Sequence, residues 1–251
     1  SLDRYIRSYG QFWFQRLELG YAVVFVTFLQ VLVAALVLVL APVLFLRRRR
    51  AGRGVPWTVV HFTAIGLGFL LIEMLHIQRF TRFLGDPIYS TAAVLTAILV
   101  FSGVGSYLQG RLARGGVAGS RASARGLSAT SRIRIGGAAV ALLAVLYYLG
   151  LDPVLNLAVG AGETVRFLIT LVLLFPLSFM MGWLMPAGLE AAGKRSQELV
   201  PLAWAVNGVA SVAATPLSVM VAAGGGFLAV TLLAVACYGA VAAAAQWSSS
   251  N

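Results

Sequence analysis

The stretch that decides the fold is residues 57–78, WTVVHFTAIGLGFLLIEMLHIQ, an apolar run that contains one acid, Glu73, and two histidines. At 1.5 Å per residue, a helix of this length crosses the roughly 30 Å hydrocarbon core of a bilayer. The whole chain has the same character: 60% of its 251 residues are hydrophobic, 11% are charged, and the mean hydropathy is +0.90. A water-soluble domain carries about 25% charged residues. The composition therefore predicts an integral membrane protein.

Similar apolar runs flank this one along the chain. Residues 19–46 precede it, and the runs that follow are 88–109, 135–151, 165–184, 200–221 and 227–245. Three consecutive glycines, Gly224 to Gly226, separate the last two runs and predict a tight turn. The pattern predicts an all-α polytopic membrane bundle of about seven transmembrane helices.

The same pattern predicts how the chain is organised. An interfacial N-terminal segment, rich in aromatic residues, precedes the first three helices, and a flexible, basic cytoplasmic loop separates these from the last four. The predicted segments are 1–18 for the interfacial part, 19–109 for helices one to three, 110–134 for the loop, 135–245 for helices four to seven, and 246–251 for the tail.

The net charge of +11 arises from 19 Lys and Arg against 8 Asp and Glu. The loops after the first, third and fifth apolar runs hold 13 of those 19 cations. Cytoplasmic loops of membrane proteins carry such an excess, so we expect these loops and the C-terminus in the cytoplasm and the N-terminus outside. The basic residues are not interleaved with aromatic ones, so the partner predicted is the lipid bilayer and not nucleic acid.

Three ionisable residues lie three apart near the end of the second run: Glu73, His76 and Arg79. Glu73 lies about five residues inside the predicted helix end, about 7 Å deep. An ionised carboxylate in hydrocarbon costs several kcal/mol unless it is paired, and residues three apart are neighbours on a helix. A pair between Glu73 and His76, or between Glu73 and an arginine, is therefore available within the helix or across to another one. This group is either a polar site that binds a cation or relays protons, or a structural ion pair at the turn between helices two and three.

Asn207 is an uncharged polar residue well inside the sixth run, where Gly208 and Ser211 would allow a neighbouring helix to approach closely. An interhelical hydrogen bond is the expected role, and contact with a ligand is the alternative. Cys237 is the single cysteine, so it cannot form an intrachain disulfide. The sequence shows no catalytic constellation or metal site, and it identifies no cofactor.

Two segments of the chain resemble the membrane part of bacterial spermidine-synthase-like proteins, also called fused major-facilitator/spermidine synthase proteins. The first comprises residues 62–73 with 78–80 and 84–90, and the second comprises residues 201–212. The resemblance implies multi-pass location in the bacterial inner membrane and a soluble aminopropyltransferase-like domain upstream of the helices. This chain has no glycine-rich loop after a strand and no acidic pair for a polyamine, so enzymatic activity of the chain alone is not expected.

The resemblance implies a membrane module that acts as an anchor or scaffold, with a small-cation or polyamine pathway in which Glu73, His76, Arg79 and Asn207 are the ligand-binding candidates. Two alternatives stay open: an accessory structural subunit of a larger membrane complex, and a proton-coupled transporter. The partners expected are lipid together with other membrane subunits or the upstream soluble domain.

The predicted orientation is testable by labelling single cysteines in a Cys237→Ser background. Ser123→Cys lies in the basic loop and Ala161→Cys lies between runs four and five. In intact cells, a membrane-impermeant maleimide should label Ala161→Cys and should reach Ser123→Cys only after the cells are permeabilised. The opposite labelling pattern would invert the topology.

Overall fold

A computed structural model describes residues 22–31, 33, 34, 37, 54–113 and 127–245 of the chain. Of these residues 93% are helical, and none lies in a strand. The predicted all-α fold is therefore confirmed for the described part. Most of the first predicted run lies outside it, as do residues 1–18, residues 246–251 and the centre of the basic loop.

The described residues form seven helices, which are numbered in chain order. They are α1 (Ala22–Val31), α2 (Val55–Leu84), α3 (Pro87–Ala113), α4 (Ala129–Ala158), α5 (Glu163–Met181), α6 (Leu184–Arg195) and α7 (Leu199–Ala244). Five segments in this part of the chain are long and apolar enough to cross a membrane: α2, α3, α4, α5 together with α6, and α7.

Glycines in the left-handed region flank α2 and position the helix after it. Gly54 has φ 104° and Gly85 has φ 87°, values that residues with a side chain rarely adopt. The Gly85 N–H donates to the Thr81 carbonyl, and the Asp86 carboxylate accepts from the Tyr89 N–H at 2.6 Å, at the start of α3. The sequence placed the end of this helix near residue 78, but the helix continues to Leu84, because Arg79, Phe80, Phe83 and Leu84 are buried against other helices.

Helix α7 contains a break at Gly226, where φ is 65° and ψ is −168°. As one straight helix its 46 residues would extend about 69 Å, more than twice the hydrocarbon core. Before the break α7 runs in the same direction as α2, because Leu199 lies against Gly54 and Ala210 against Gly66. The first half of α7 is thus parallel to α2.

After the break, the chain returns along α2. The ring of Phe227 lies 4.9 Å from the Arg82 guanidinium, near the far end of α2, and Tyr238 packs against Gly68, nearer its middle. The two halves of α7 therefore form a helical hairpin along α2, and the chain reverses within the three glycines where the sequence predicted a turn. Runs six and seven correspond to these halves.

Helices α3 and α5 approach each other closely through glycines. A Cβ on Gly105 would collide with the backbone carbonyl of Phe179, and a Cβ on Gly182 would collide with that of Ser102. Such small-residue contacts are typical of membrane helices, where association depends on close packing. By contrast, nothing lies within 4 Å of the position that a Cβ would take on Gly103.

This difference between neighbouring glycines predicts opposite effects of alanine. Gly105→Ala should lower the free energy of unfolding by about 1–3 kcal/mol, because two backbones must separate. Gly103→Ala is the matched control on the same helix and should be neutral or slightly stabilising, because alanine favours helix formation. Unfolding in mixed detergent micelles with increasing SDS, followed by circular dichroism, measures both; equal effects would contradict the close α3–α5 contact.

Candidate functional site

Glu73 is deeper in the bundle than the sequence indicated. Because α2 ends at Leu84, Glu73 lies 11 residues, or about 16 Å, from that helix end. The residue is 6% exposed, and within the described part of the chain its carboxylate forms no hydrogen bond or ion pair. The pair with His76 or an arginine that the sequence made available is therefore not formed among the described residues, and the Glu73 carboxylate has no partner there.

His76 is part of an aromatic contact between α2 and α4. Its Nδ1 donates to the carbonyl of Ile72, four residues earlier, at 2.7 Å, while Nε2 is buried without a partner. The imidazole stacks on Phe80, with 6.3 Å between ring centroids, and meets the Tyr147 ring edge-on at 5.7 Å. These contacts agree with a packing role for His76.

Arg79 connects α2 to α4 and to the second half of α7. Its Nη1 donates to the Tyr147 carbonyl at 2.9 Å, and its Nη2 lies 3.8 Å from the Asp152 carboxylate. The guanidinium also lies over the rings of Tyr148 and Phe227, at 5.4 and 5.7 Å from their centroids. The partner of Arg79 is therefore on another helix and not Glu73.

Two further buried or half-buried arginines connect helices, and sequence analysis missed both roles. Arg166 of α5 donates from Nη1 to the Phe83 carbonyl of α2 at 2.9 Å. Arg132 of α4 donates from Nη2 to the Glu190 carboxylate of α6 at 2.5 Å, and Lys194 donates to the same carboxylate at 2.6 Å. Arg132 lies at the opposite end of the bundle from Arg79 and Arg166, so arginines connect helices at both ends.

Asn207 does not form the expected interhelical hydrogen bond within the described residues. Its backbone and its side-chain Oδ1 lie against Gly66 of α2, and the nearby Ser211 hydroxyl donates to the Gly66 carbonyl at 3.4 Å. The side chain of Asn207 instead lines a cavity of about 460 Å³ between α2, α3, the α5–α6 break and α7. The α5–α6 break consists of Gly182 and Trp183, which separate the two helices. A volume of this size is within the range of small-molecule sites.

The cavity has an apolar wall with a few hydroxyl and amide groups. The residues that line it are Ile65, Phe69, Leu70, Leu99, Ser102, Gly103, Ser106, Met181, Gly182, Leu184, Met185, Trp204, Asn207, Ser211 and Tyr238. No Asp, Glu, Lys, Arg or His is among these described lining residues. Sequence analysis missed the cavity because four separate segments build it; the small residues Ser102, Gly103 and Ser106 on one face of α3 were its local signal.

The four sequence candidates therefore fall in two places: Glu73, His76 and Arg79 lie toward the Leu84 end of α2, and Asn207 lies in the cavity. Among the described residues, no three His, Cys, Asp or Glu side chains are grouped as metal ligands would be. Comparison with known proteins identifies no relative, because no family model, no curated protein and no solved structure matches the chain.

The contacts of Arg79 predict which partner matters for stability. Arg79→Met should lower the free energy of unfolding by about 1–3 kcal/mol, because it removes a buried charge-assisted hydrogen bond between α2 and α4. Asp152→Asn should cost less than about 1 kcal/mol, because the Asp152 side chain is 60% exposed and its oxygen is 3.8 Å away. SDS-induced unfolding measures the free energy of unfolding of both variants. If Asp152→Asn lowers it as much as Arg79→Met does, the ion pair is the dominant contact.

Proposed function

We propose that the chain is a membrane-embedded helical module of the spermidine-synthase-like type, which anchors or scaffolds a larger assembly in the bacterial inner membrane with its C-terminus in the cytoplasm. Five apolar segments long enough to span support its place in a membrane. The observation that carries the scaffold role is the set of arginine contacts between helices at both ends of the bundle.

These contacts favour a bundle that keeps one arrangement. Alternating access moves one group of helices against another around a central site. Here Arg79 joins α2 to α4, Arg166 joins α5 to α2, and Arg132 joins α4 to α6. A rocking motion between these helices would break charge-assisted hydrogen bonds of buried or half-buried guanidinium groups, each worth about 1.5–3 kcal/mol.

A second candidate, the accessory subunit of a membrane complex, is favoured by α1. Large apolar side chains of this helix are exposed: Val23 is 64% exposed, Val26 is 51% exposed and Leu29 is 49% exposed. Such side chains need lipid or another protein chain to cover them. An accessory subunit would place this helix against a neighbouring membrane protein.

A third candidate, a cation or polyamine pathway with or without proton coupling, rests on Glu73. An unpartnered carboxylate at membrane depth is a functional-site hypothesis by default. The ammonium groups of a polyamine would supply the opposite charge that the described residues do not.

Flux measurements in proteoliposomes separate scaffold from transport. With radiolabelled spermidine and an imposed pH gradient, the scaffold role predicts uptake equal to that of protein-free vesicles for the wild type and for Glu73→Gln. Glu163→Gln, which changes an exposed carboxylate at the first residue of α5, is the matched control. If the wild type and Glu163→Gln take up spermidine and Glu73→Gln does not, the chain is a transporter and the scaffold role is wrong.

The anchoring role has its own readout. A soluble reporter fused to the N-terminus should stay with the membrane after alkaline carbonate washing, because the apolar segments cannot leave the hydrocarbon without exposing their surface to water. Release of the fusion by carbonate would contradict anchoring, whatever the flux result.

A further inference from the structure

The cavity between α2, α3, the α5–α6 break and α7 lies at the depth of the hydrocarbon core. Asn207 is eight residues from Leu199, where α7 begins, and therefore about 12 Å along the helix from that end. On the lipid side, Leu99 and Trp204 line the cavity and are 61% and 56% exposed. A molecule dissolved in the bilayer would therefore reach the cavity between α3 and the first half of α7.

Three hydrogen-bonding groups of this apolar wall have no partner among the described residues, whereas the Ser102 and Ser211 hydroxyls donate to backbone carbonyls. The Asn207 amide, the Ser106 hydroxyl and the Tyr238 hydroxyl form no hydrogen bond within the described residues, although Tyr238 is only 1% exposed. In hydrocarbon each unpaired polar group costs free energy, because no water is present to satisfy it. A ligand with hydrogen-bond acceptors would satisfy all three donors.

The lining also restricts the charge and shape of such a ligand. No Asp, Glu, Lys, Arg or His is among the described lining residues, so a charged head group would enter without a counter-ion. Phe69, Trp204 and Tyr238 place three aromatic side chains around the same space, and aromatic rings favour flat, ring-bearing ligands. The cavity therefore suits a neutral, flat molecule that carries oxygen acceptors.

We propose that this cavity binds a neutral, membrane-soluble molecule of the quinone class, whose ring lies among Phe69, Trp204 and Tyr238 and whose carbonyl oxygens accept hydrogen bonds from Asn207, Ser106 or Tyr238. Glu73 lies one helical turn beyond Phe69 and Leu70 on the same face of α2 but does not line the cavity. The proposal is therefore independent of the cation pathway and of the scaffold role.

Two glycines of α3 provide a matched pair of variants. Nothing lies within 4 Å of the Cβ position of Gly103 or of Gly110, so a larger side chain fits at both without collision. Gly103 lines the cavity and Gly110 does not. Gly103→Leu should therefore fill the cavity, while Gly110→Leu adds the same side chain to the same helix outside it.

The experiment titrates decylubiquinone into the purified protein in phosphatidylcholine nanodiscs and follows quenching of tryptophan fluorescence. We expect saturable quenching for the wild type and for Gly110→Leu, and at least tenfold weaker binding for Gly103→Leu. Asn207→Leu should bind roughly fivefold more weakly, because one hydrogen bond is lost. Trp204→Phe should remove most of the saturable signal, and Glu73→Gln should bind like the wild type.

Thermal unfolding of each variant without quinone controls for loss of fold; if Gly103→Leu is unfolded, Asn207→Leu and Tyr238→Phe decide the outcome. Quenching that rises linearly with quinone and is equal in all folded variants would show partition into the lipid and overturn the proposal. Competition by spermidine, or loss of binding in Glu73→Gln, would also overturn it, because the site would then accept a cation.

Discussion

Buried and half-buried guanidinium groups between helices constrain how both ends of the bundle pack. A cation that is removed from water in this way must find hydrogen-bond acceptors inside the protein, because an unpaired buried charge costs several kcal/mol. Arg79 and Arg166 find backbone carbonyls of other helices, and Arg132 finds the carboxylate of Glu190. Since each acceptor is on a different helix from its arginine, the contacts form only when the helices lie at the observed distances. The positions of α2, α4, α5 and α6 follow from this requirement.

Glycines determine where those helices touch and where they stay apart. In lipid, apolar surfaces gain little by leaving a solvent that is equally apolar, so close backbone contact becomes the main attraction. Gly105 and Gly182 bring α3 against α5, and Gly66 and Gly68 bring both halves of α7 against α2. Gly103, on another face of α3, meets no neighbour. The cavity is thus the space that remains where a glycine of α3 has no facing backbone.

The apolar runs predicted most of the helices, because the thickness of the bilayer sets the length of a spanning helix. The three glycines at 224–226 predicted the reversal in α7. Other features depend on contacts distant in sequence. Arg79 bonds to a carbonyl 68 residues away, so its spacing from Glu73 suggested the wrong partner. Gln78 to Arg82 remain helical because α3, α4 and α7 pack around them, which places Glu73 deeper than the local pattern indicated. The cavity needs four segments at once, and within any one of them its local signal is limited to the small residues Ser102, Gly103 and Ser106 of α3.

The scaffold role accounts for the arginines but leaves Glu73 without a structural reason. Glu73 is a buried residue between the two ends that the arginines connect, and no described residue donates a hydrogen bond to its carboxylate. A cation held there would replace the missing partner. Its path to Glu73 would have to open through side-chain movement alone, because helix movement would break the contacts of Arg79, Arg132 and Arg166. The neutral cavity lies one turn along the same face of α2 and has no charge to guide a cation. A cation at Glu73 and a neutral ligand at Asn207 would therefore occupy neighbouring sites with opposite electrostatic requirements.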